Sequence, residues 1–419
     1  LIKDTSTSTL TLKASNSYSG GTTVSAGTLK AASSTEGCTS NTASSLGTGA
    51  IVVESSGTLQ GDTVNNPFGC SYYGYGPSQI TIRGTVTMTT GLNAWMPTLI
   101  LDGGTLSSGA TGTGGASYWM GGNVSVTNNS TINALGLLNV KTGGVTYNVS
   151  SGKTLSVSSA FVGSVNSDTS KGMTLDGGGT MVLSGLNTDN TAITINSGTL
   201  QISGSGALGW GGTTGNYTGA ITNKGTLQYS SSATQTLTGK ITGVGSLIKD
   251  TNTSVLTLSG ANDYTGTTTV NTGTLTYGAD SGVSGASAVT VDSGATLNVN
   301  SKAATRTATT TINGTLALGT SGSVTFAANS GSHTIANITG SGTITINSGA
   351  TVTLSGPISN TGVNFTLAGG TLKITGNNTT STSLGTLTVS SASTLDMDSS
   401  TSNFANVTFA DTSISAALT

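Results

Sequence analysis

Charge is what this chain has least of. Charged residues make up 7% of its 419 positions, where ordinary soluble domains carry about 25%. Thirteen Lys and Arg stand against fifteen Asp and Glu, for a formal net charge of −2. A nucleic-acid partner needs clustered basic residues, so that class is set aside. There are two cysteines, Cys38 and Cys70, too far apart for a zinc site built on paired cysteines. The one histidine, His333, sits in Ser330-Gly-Ser-His, which reads as a structural turn rather than a catalytic position. No apolar run approaches the ~18 residues of a bilayer-crossing helix. Nor does any stretch hold a helical period, so a Gly-x-Ser-x-Gly nucleophile elbow has no helix to stand on.

Ser, Thr, Gly and Asn fill the polar positions instead. Disorder is excluded, because it goes with low hydrophobicity and high net charge. Here 34% of residues are hydrophobic, and they recur at strand period, apolar alternating with hydroxyl. The chain also repeats itself. Leu247 to Leu275, LIKDTNTSVLTLSGANDYTGTTTVNTGTL, agrees with Leu1 to Leu29 at nineteen of twenty-nine positions. Within it, Val255-Leu-Thr-Leu reads as one strand, Ser259 to Gly266 as a turn, and Thr267-Thr-Thr-Val as a second strand. Asn271-Thr-Gly273 reads as a tight corner and Thr274-Leu-Thr-Tyr as a third strand. Three short strands and two corners make one coil of a solenoid, and a repeat of this kind decides the fold class.

This stretch resembles the passenger-associated repeat of bacterial autotransporters. The matching residues are Leu247, Lys249, Leu256, Leu258, Ser259, Gly260, Asn262, Tyr264, Gly266, Thr268, Val270, Gly273, Thr274 and Leu275. Asp250-Thr-Asn-Thr departs from the glycine-rich approach usual in the family. The resemblance implies an exported, surface-exposed, right-handed parallel β-helix, and by itself no enzymatic activity. In an exported protein Cys38 and Cys70 can close a loop worth roughly 3 kcal/mol as a disulfide; two buried or free thiols are the alternative.

The expected architecture is all-β, a single elongated β-solenoid over residues 1–419. Its corners recur at Gly27, Gly57, Gly198, Gly225 and Gly273, where glycine supplies the positive φ a tight corner needs. Residues 60–123 break the pattern. Pro67, Pro77 and Pro97 fall there, with Tyr72, Tyr73, Tyr75, Trp95, Tyr118 and Trp119. Proline suits loops and edges rather than central strands. This stretch is read as a decorated region, with strands at 79–89 and 98–102 continuing the coil. Its aromatic residues form a candidate interaction surface for protein or glycan, since aromatic side chains dominate interface energetics; packing against the solenoid's own flank competes with that reading.

No catalytic, cofactor or metal site is expected. Asp396 and Asp398 are the one close acidic pair, and glycoside hydrolysis wants two carboxylates on one face, but no Lys or Arg lies near them in sequence. Asp102, Asp176, Asp263 and Asp292 sit in corners, where Asp serves as a turn residue. The resulting expectation is a non-enzymatic structural or adhesive protein of the cell surface, with a polysaccharide lyase or glycosidase as the alternative. The chain starts at Leu1 without a signal-peptide pattern, which suggests a processed product or an excised piece. Strand-like residues at both ends, with no cap, suggest head-to-tail self-association into a fibre. No insertion of this segment into a membrane is expected.

Overall fold

The computed structural model describes residues 1–32, 45–62, 65–69, 76–89, 93–108, 117–134, 136–162, 172–209, 216–280, 282–327, 332–356, 358–375, 382–397 and 407–419. Among them every regular element is a β-strand, and no helix occurs. The chain divides into two compact units, Leu1–Gly215 and Asn216–Thr419. Each is a β-solenoid of parallel strands.

Alternation builds the first unit. In Thr22-Thr-Val-Ser and Ile51-Val-Val-Glu every second side chain turns inward, and parallel pairing stacks like on like. Val24, Val53, Ile82, Leu101, Val126 and Val149 are register partners in successive coils, and all are fully buried. A second ladder runs Leu29, Leu59, Val86, Leu106, Ile132, Val157, Leu183 and Ile202. Opposite these, the outward positions hold threonine: Thr9, Thr28, Thr58, Thr85, Thr105 and Thr131 stand in one column. A β-branched hydroxyl residue suits an exposed strand face, so the surface needs little charge. The strands expected at 79–89 and 98–102 are present as Gln79–Ile82, Thr85–Met88 and Thr98–Asp102.

The second unit is built the same way. Leu256, Leu275, Leu297, Leu316 and Ile338 form one inward ladder. Val324, Ile344, Phe365 and Leu387 form another. Coils there are regular: Thr268 pairs with Val289 and Val289 with Thr310.

Two sequence expectations are corrected. Strand Thr268–Tyr277 runs unbroken through Gly273, and strand Ser246–Leu258 runs through Asp250-Thr-Asn-Thr. The corner expected at Asn271-Thr-Gly273 is therefore a bend within a long strand, because the neighbouring coil pairs on both sides of it. His333 is not in a turn. It lies in strand Ser332–Gly340, pairs with Val352, and is fully buried.

Leu275 illustrates what holds the stack together. It is fully buried between Leu256 and Leu297. Leu275→Ala is expected to cost about 2–5 kcal/mol, the transfer free energy plus the cavity left behind. Urea unfolding followed by circular dichroism checks it, and a midpoint equal to wild type would contradict this register.

Candidate functional site

The repeat's Lys, Asn and Tyr side chains turn to the solenoid itself. Lys3 and Lys249 occupy inward ladder positions, paired with Val24 and with Val270, and both are buried. A buried ammonium must find acceptors. Lys3 Nζ donates to the carbonyls of Thr5 and of Ala26, the latter at 3.0 Å. Lys249 Nζ donates to those of Thr251 and Thr272, the latter at 3.5 Å. Burial pulls the Lys249 pKa down to about 8, with the Asp250 charge opposing it. Gly27 and Gly273 pass beside these ammonium groups: a Cβ at either would lie 2.6 or 2.8 Å from Nζ.

The Asn-x-Tyr turn is equally occupied. Asn262 Oδ1 accepts from Ile241 N at 2.7 Å, and its Nδ2 donates to Gly282 O at 2.6 Å. One side chain thus ties its own coil to the coil before and the coil after. Asn16 donates to Ser45 O at 2.8 Å. Tyr264 shares a hydrogen bond with Thr268 at 2.7 Å, and Tyr18 does the same with Thr22 at 2.8 Å. The arrangement locks coils together.

A third copy escaped the sequence reading. Asn187 Oδ1 accepts from Phe161 N at 2.9 Å, while Nδ2 donates to Ala207 O at 2.9 Å, the same cross-coil bridge as Asn262. Its signal was Leu183-Ser-Gly-Leu-Asn187 followed by Gly198-Thr-Leu200. Asp189 stands where the other copies have tyrosine, and that loss hid the match. Burial pushes the Asp189 pKa up, against the hydrogen bonds from Thr191, whose amide and hydroxyl donate to the two carboxylate oxygens at 2.9 Å each.

Of the corner glycines, Gly27, Gly198 and Gly273 have φ of +69°, +78° and +77°. Gly57 lacks positive φ. It is required for space, since a Cβ there would lie 2.2 Å from Val24 O. Gly225 also lies outside the positive-φ group; its carbonyl accepts from Ser246 N at 2.9 Å.

The aromatic region gives one outward pair. In Ala94-Trp-Met and Ser117-Tyr-Trp-Met, Ala94, Met96, Tyr118 and Met120 are fully buried. Alternation therefore turns Trp95 and Trp119 outward, and both are half-buried. They are register partners with ring centroids 5.2 Å apart and planes at 70°. The Asn65-Asn66 turn fixes the strand: Asn66 Oδ1 accepts from Trp95 N at 3.0 Å, and Asn65 Oδ1 from Asn93 N at 3.1 Å. Gly121 leaves room for the Trp95 ring, which a Cβ there would approach to 3.3 Å. Tyr118 is corrected from surface to core. Burial raises its pKa, and its hydroxyl donates to Ser107 O at 2.7 Å. Tyr72, Tyr73, Tyr75, Cys38 and Cys70 lie outside the described residues, as does the disulfide expectation.

Asp396, Asp102 and Asp176 are engaged. Lys373 of the preceding coil lies 3.3 Å from Asp396, a neighbour that sequence distance concealed; Asp398 lies outside the described residues. Arg83 bridges Asp102 at 2.8 Å and Glu54 at 2.9 Å. The Arg83 guanidinium, with help from Asn128 and Thr127, holds Asp102 below the usual carboxylate range. Hydrogen bonds from Ser197 and Gly177 N lower Asp176 likewise. Among the described residues no group of three His, Cys, Asp or Glu is placed to hold a metal, and no helix is long and apolar enough to cross a membrane.

The passenger-associated-transport-repeat family model matches residues 4–31, 173–202 and 250–276. The third bridge, at Asn187, falls inside the middle match. No curated protein matches the chain significantly.

Proposed function

We propose that this chain, which carries three passenger-associated-transport repeats on a β-solenoid, is a non-catalytic passenger segment of an exported, surface-associated protein. The observation that carries the reading is the use made of the repeat. Its Lys, Asn, Tyr and Thr side chains hold the coils together, so these residues serve the scaffold. The contact the scaffold presents is the Trp95–Trp119 pair. Planes at 70° give no coplanar platform for successive sugar rings, and tryptophan is enriched at protein hot spots. A protein partner is therefore favoured over a glycan. Self-association is a further form the role can take, because low net charge puts little repulsion between copies.

Trp95→Ala with Trp119→Ala is expected to abolish adhesion of cells displaying the protein. Unfolding should stay within about 1 kcal/mol of wild type, since the rings face outward. Adhesion equal to wild type would remove the pair from the interface. Binding retained on purified glycans but lost on protein-coated surfaces would support the protein reading; the reverse would favour glycan.

A further inference from the structure

His333 is the one histidine of the chain, and its imidazole is fully buried at the start of strand Ser332–Gly340. Its ring lies 4.5 Å from that of Phe326, centroid to centroid, with the planes tilted by 48°. Phe326 is the register partner of Arg306, whose side chain is 1% exposed. The guanidinium donates to Ser284 O at 2.7 Å, to Ser287 O, and to Thr310 Oγ1 at 3.3 Å. All three acceptors are neutral. Tyr277, which also hydrogen-bonds Arg306, is kept protonated by burial.

The strands that flank His333, Thr310–Leu318 and Thr351–Leu354, carry no titratable residue. Neither do Ser323–Phe326 and Thr343–Asn347. Residues 293–395 contain no Asp or Glu, and their cations are Lys302, Arg306 and Lys373. Lys302 is half-exposed and Lys373 meets Asp396 at 3.3 Å, so Arg306 alone is buried with the imidazole. In the coil before, Asp280 is exposed, and its carboxylate accepts from Ala303 N at 2.9 Å. A protonated His333 would therefore be a second buried cation with no counter-charge, which is strongly unfavourable. Burial, and then the Arg306 charge, push its pKa from 6.5 down to about 4.

We propose that His333 is an acid-operated latch of the second unit: taking up a proton sets a second cation beside Arg306 and opens the coils around it, while the first unit stays closed. The unfolded chain takes up this proton near 6.5 and the folded chain only near 4. Folding is therefore at full strength above the higher value and weakens as the pH falls below it. Between the two values each pH unit costs about tenfold in the ratio of folded to unfolded coils. The first unit has no histidine. Its Asp102 and Asp176, held below the usual carboxylate range by hydrogen bonds, keep their charge through this window. Protonation of Asp189, whose pKa burial raises, favours the folded first unit as well.

Hydrogen exchange of the full chain, corrected for intrinsic amide rates, tests this at about pH 7 and about pH 4.5. The Ser355 amide, bonded to Ile335 O at 3.0 Å, should lose protection on the order of a hundredfold at the lower pH. Ser184 N, bonded to Val157 O at 2.9 Å in the first unit, should keep its protection. His333→Phe, which retains a ring against Phe326, should leave the Ser355 amide equally protected at both pH values. If His333→Phe does not fold, nuclear magnetic resonance of the wild type decides, because one histidine gives one imidazole titration. A midpoint near 4 supports the latch, and one at the ordinary 6.5 in the folded protein overturns it. A Ser355 amide as protected at the lower pH as at the higher, an equal loss at Ser184 N, or an acid response unchanged in His333→Phe would overturn it too.

Discussion

Gly273→Val should unfold its coil at a denaturant concentration far below wild type, with a loss on the order of 4 kcal/mol. Two independent causes add. The residue sits at φ +77°, where a β-branched side chain is a genuine outlier, and such strain alone costs about 1–3 kcal/mol. A Cβ would also lie 2.2 Å from Thr251 O, 2.8 Å from Lys249 Nζ and 3.0 Å from Ser254 O. The first and last are backbone atoms of the adjacent coil, which cannot swing aside as a side-chain tip can. Displacing Lys249 would in turn strip the carbonyls of Thr251 and Thr272 of their donor. Gly57→Ala isolates the steric cause, because its φ is not positive while Val24 O at 2.2 Å, Val24 C at 3.0 Å and Val24 Cγ1 at 3.1 Å oppose the methyl. Equilibrium urea titration checks both. A Gly273→Val midpoint equal to wild type would mean the bend is built differently.

Most of the fold was legible because a solenoid writes its architecture locally. Val255-Leu-Thr-Leu states which face is buried, and parallel stacking repeats the statement coil after coil, so Leu256 meets Leu275 and Leu275 meets Leu297. What the sequence hid were contacts between residues one coil apart. Lys373 and Asp396 look unrelated along the chain, yet stacking makes them register partners. His333 reads as a turn residue, but alternation within its strand turns it inward. Tyr118 failed for a related reason: clustering of aromatic residues suggested a surface, while the period of two sends Tyr118 in and Trp119 out. The third repeat keeps few of the positions, among twenty-nine, that the other two share. The structural requirement rests on fewer of them, and Asn187 keeps its bridge without the tyrosine.

That bridge leads to the second large effect. Asn262 is 8% exposed and spans three coils with one amide. Removing it orphans Ile241 N and Gly282 O where water has little access. Each unsatisfied buried group costs about 1–3 kcal/mol, so Asn262→Ala should lose about 2–6 kcal/mol. Volume alone cannot explain a loss of that kind, and Asn262→Leu separates the two causes. Leucine restores the bulk but neither hydrogen bond, so it should destabilise about as much as alanine. The local readout is native-state hydrogen exchange, which follows opening at individual amides. The Ile241 amide, held at 2.7 Å in the wild type, should exchange at least tenfold faster in both variants. Thr268 N, bonded to Ala288 O at 2.8 Å, should keep its protection if the opening is confined to the turn. Rescue of stability by leucine, or an Ile241 amide as protected as in wild type, would show that packing rather than the amide bridge joins these coils.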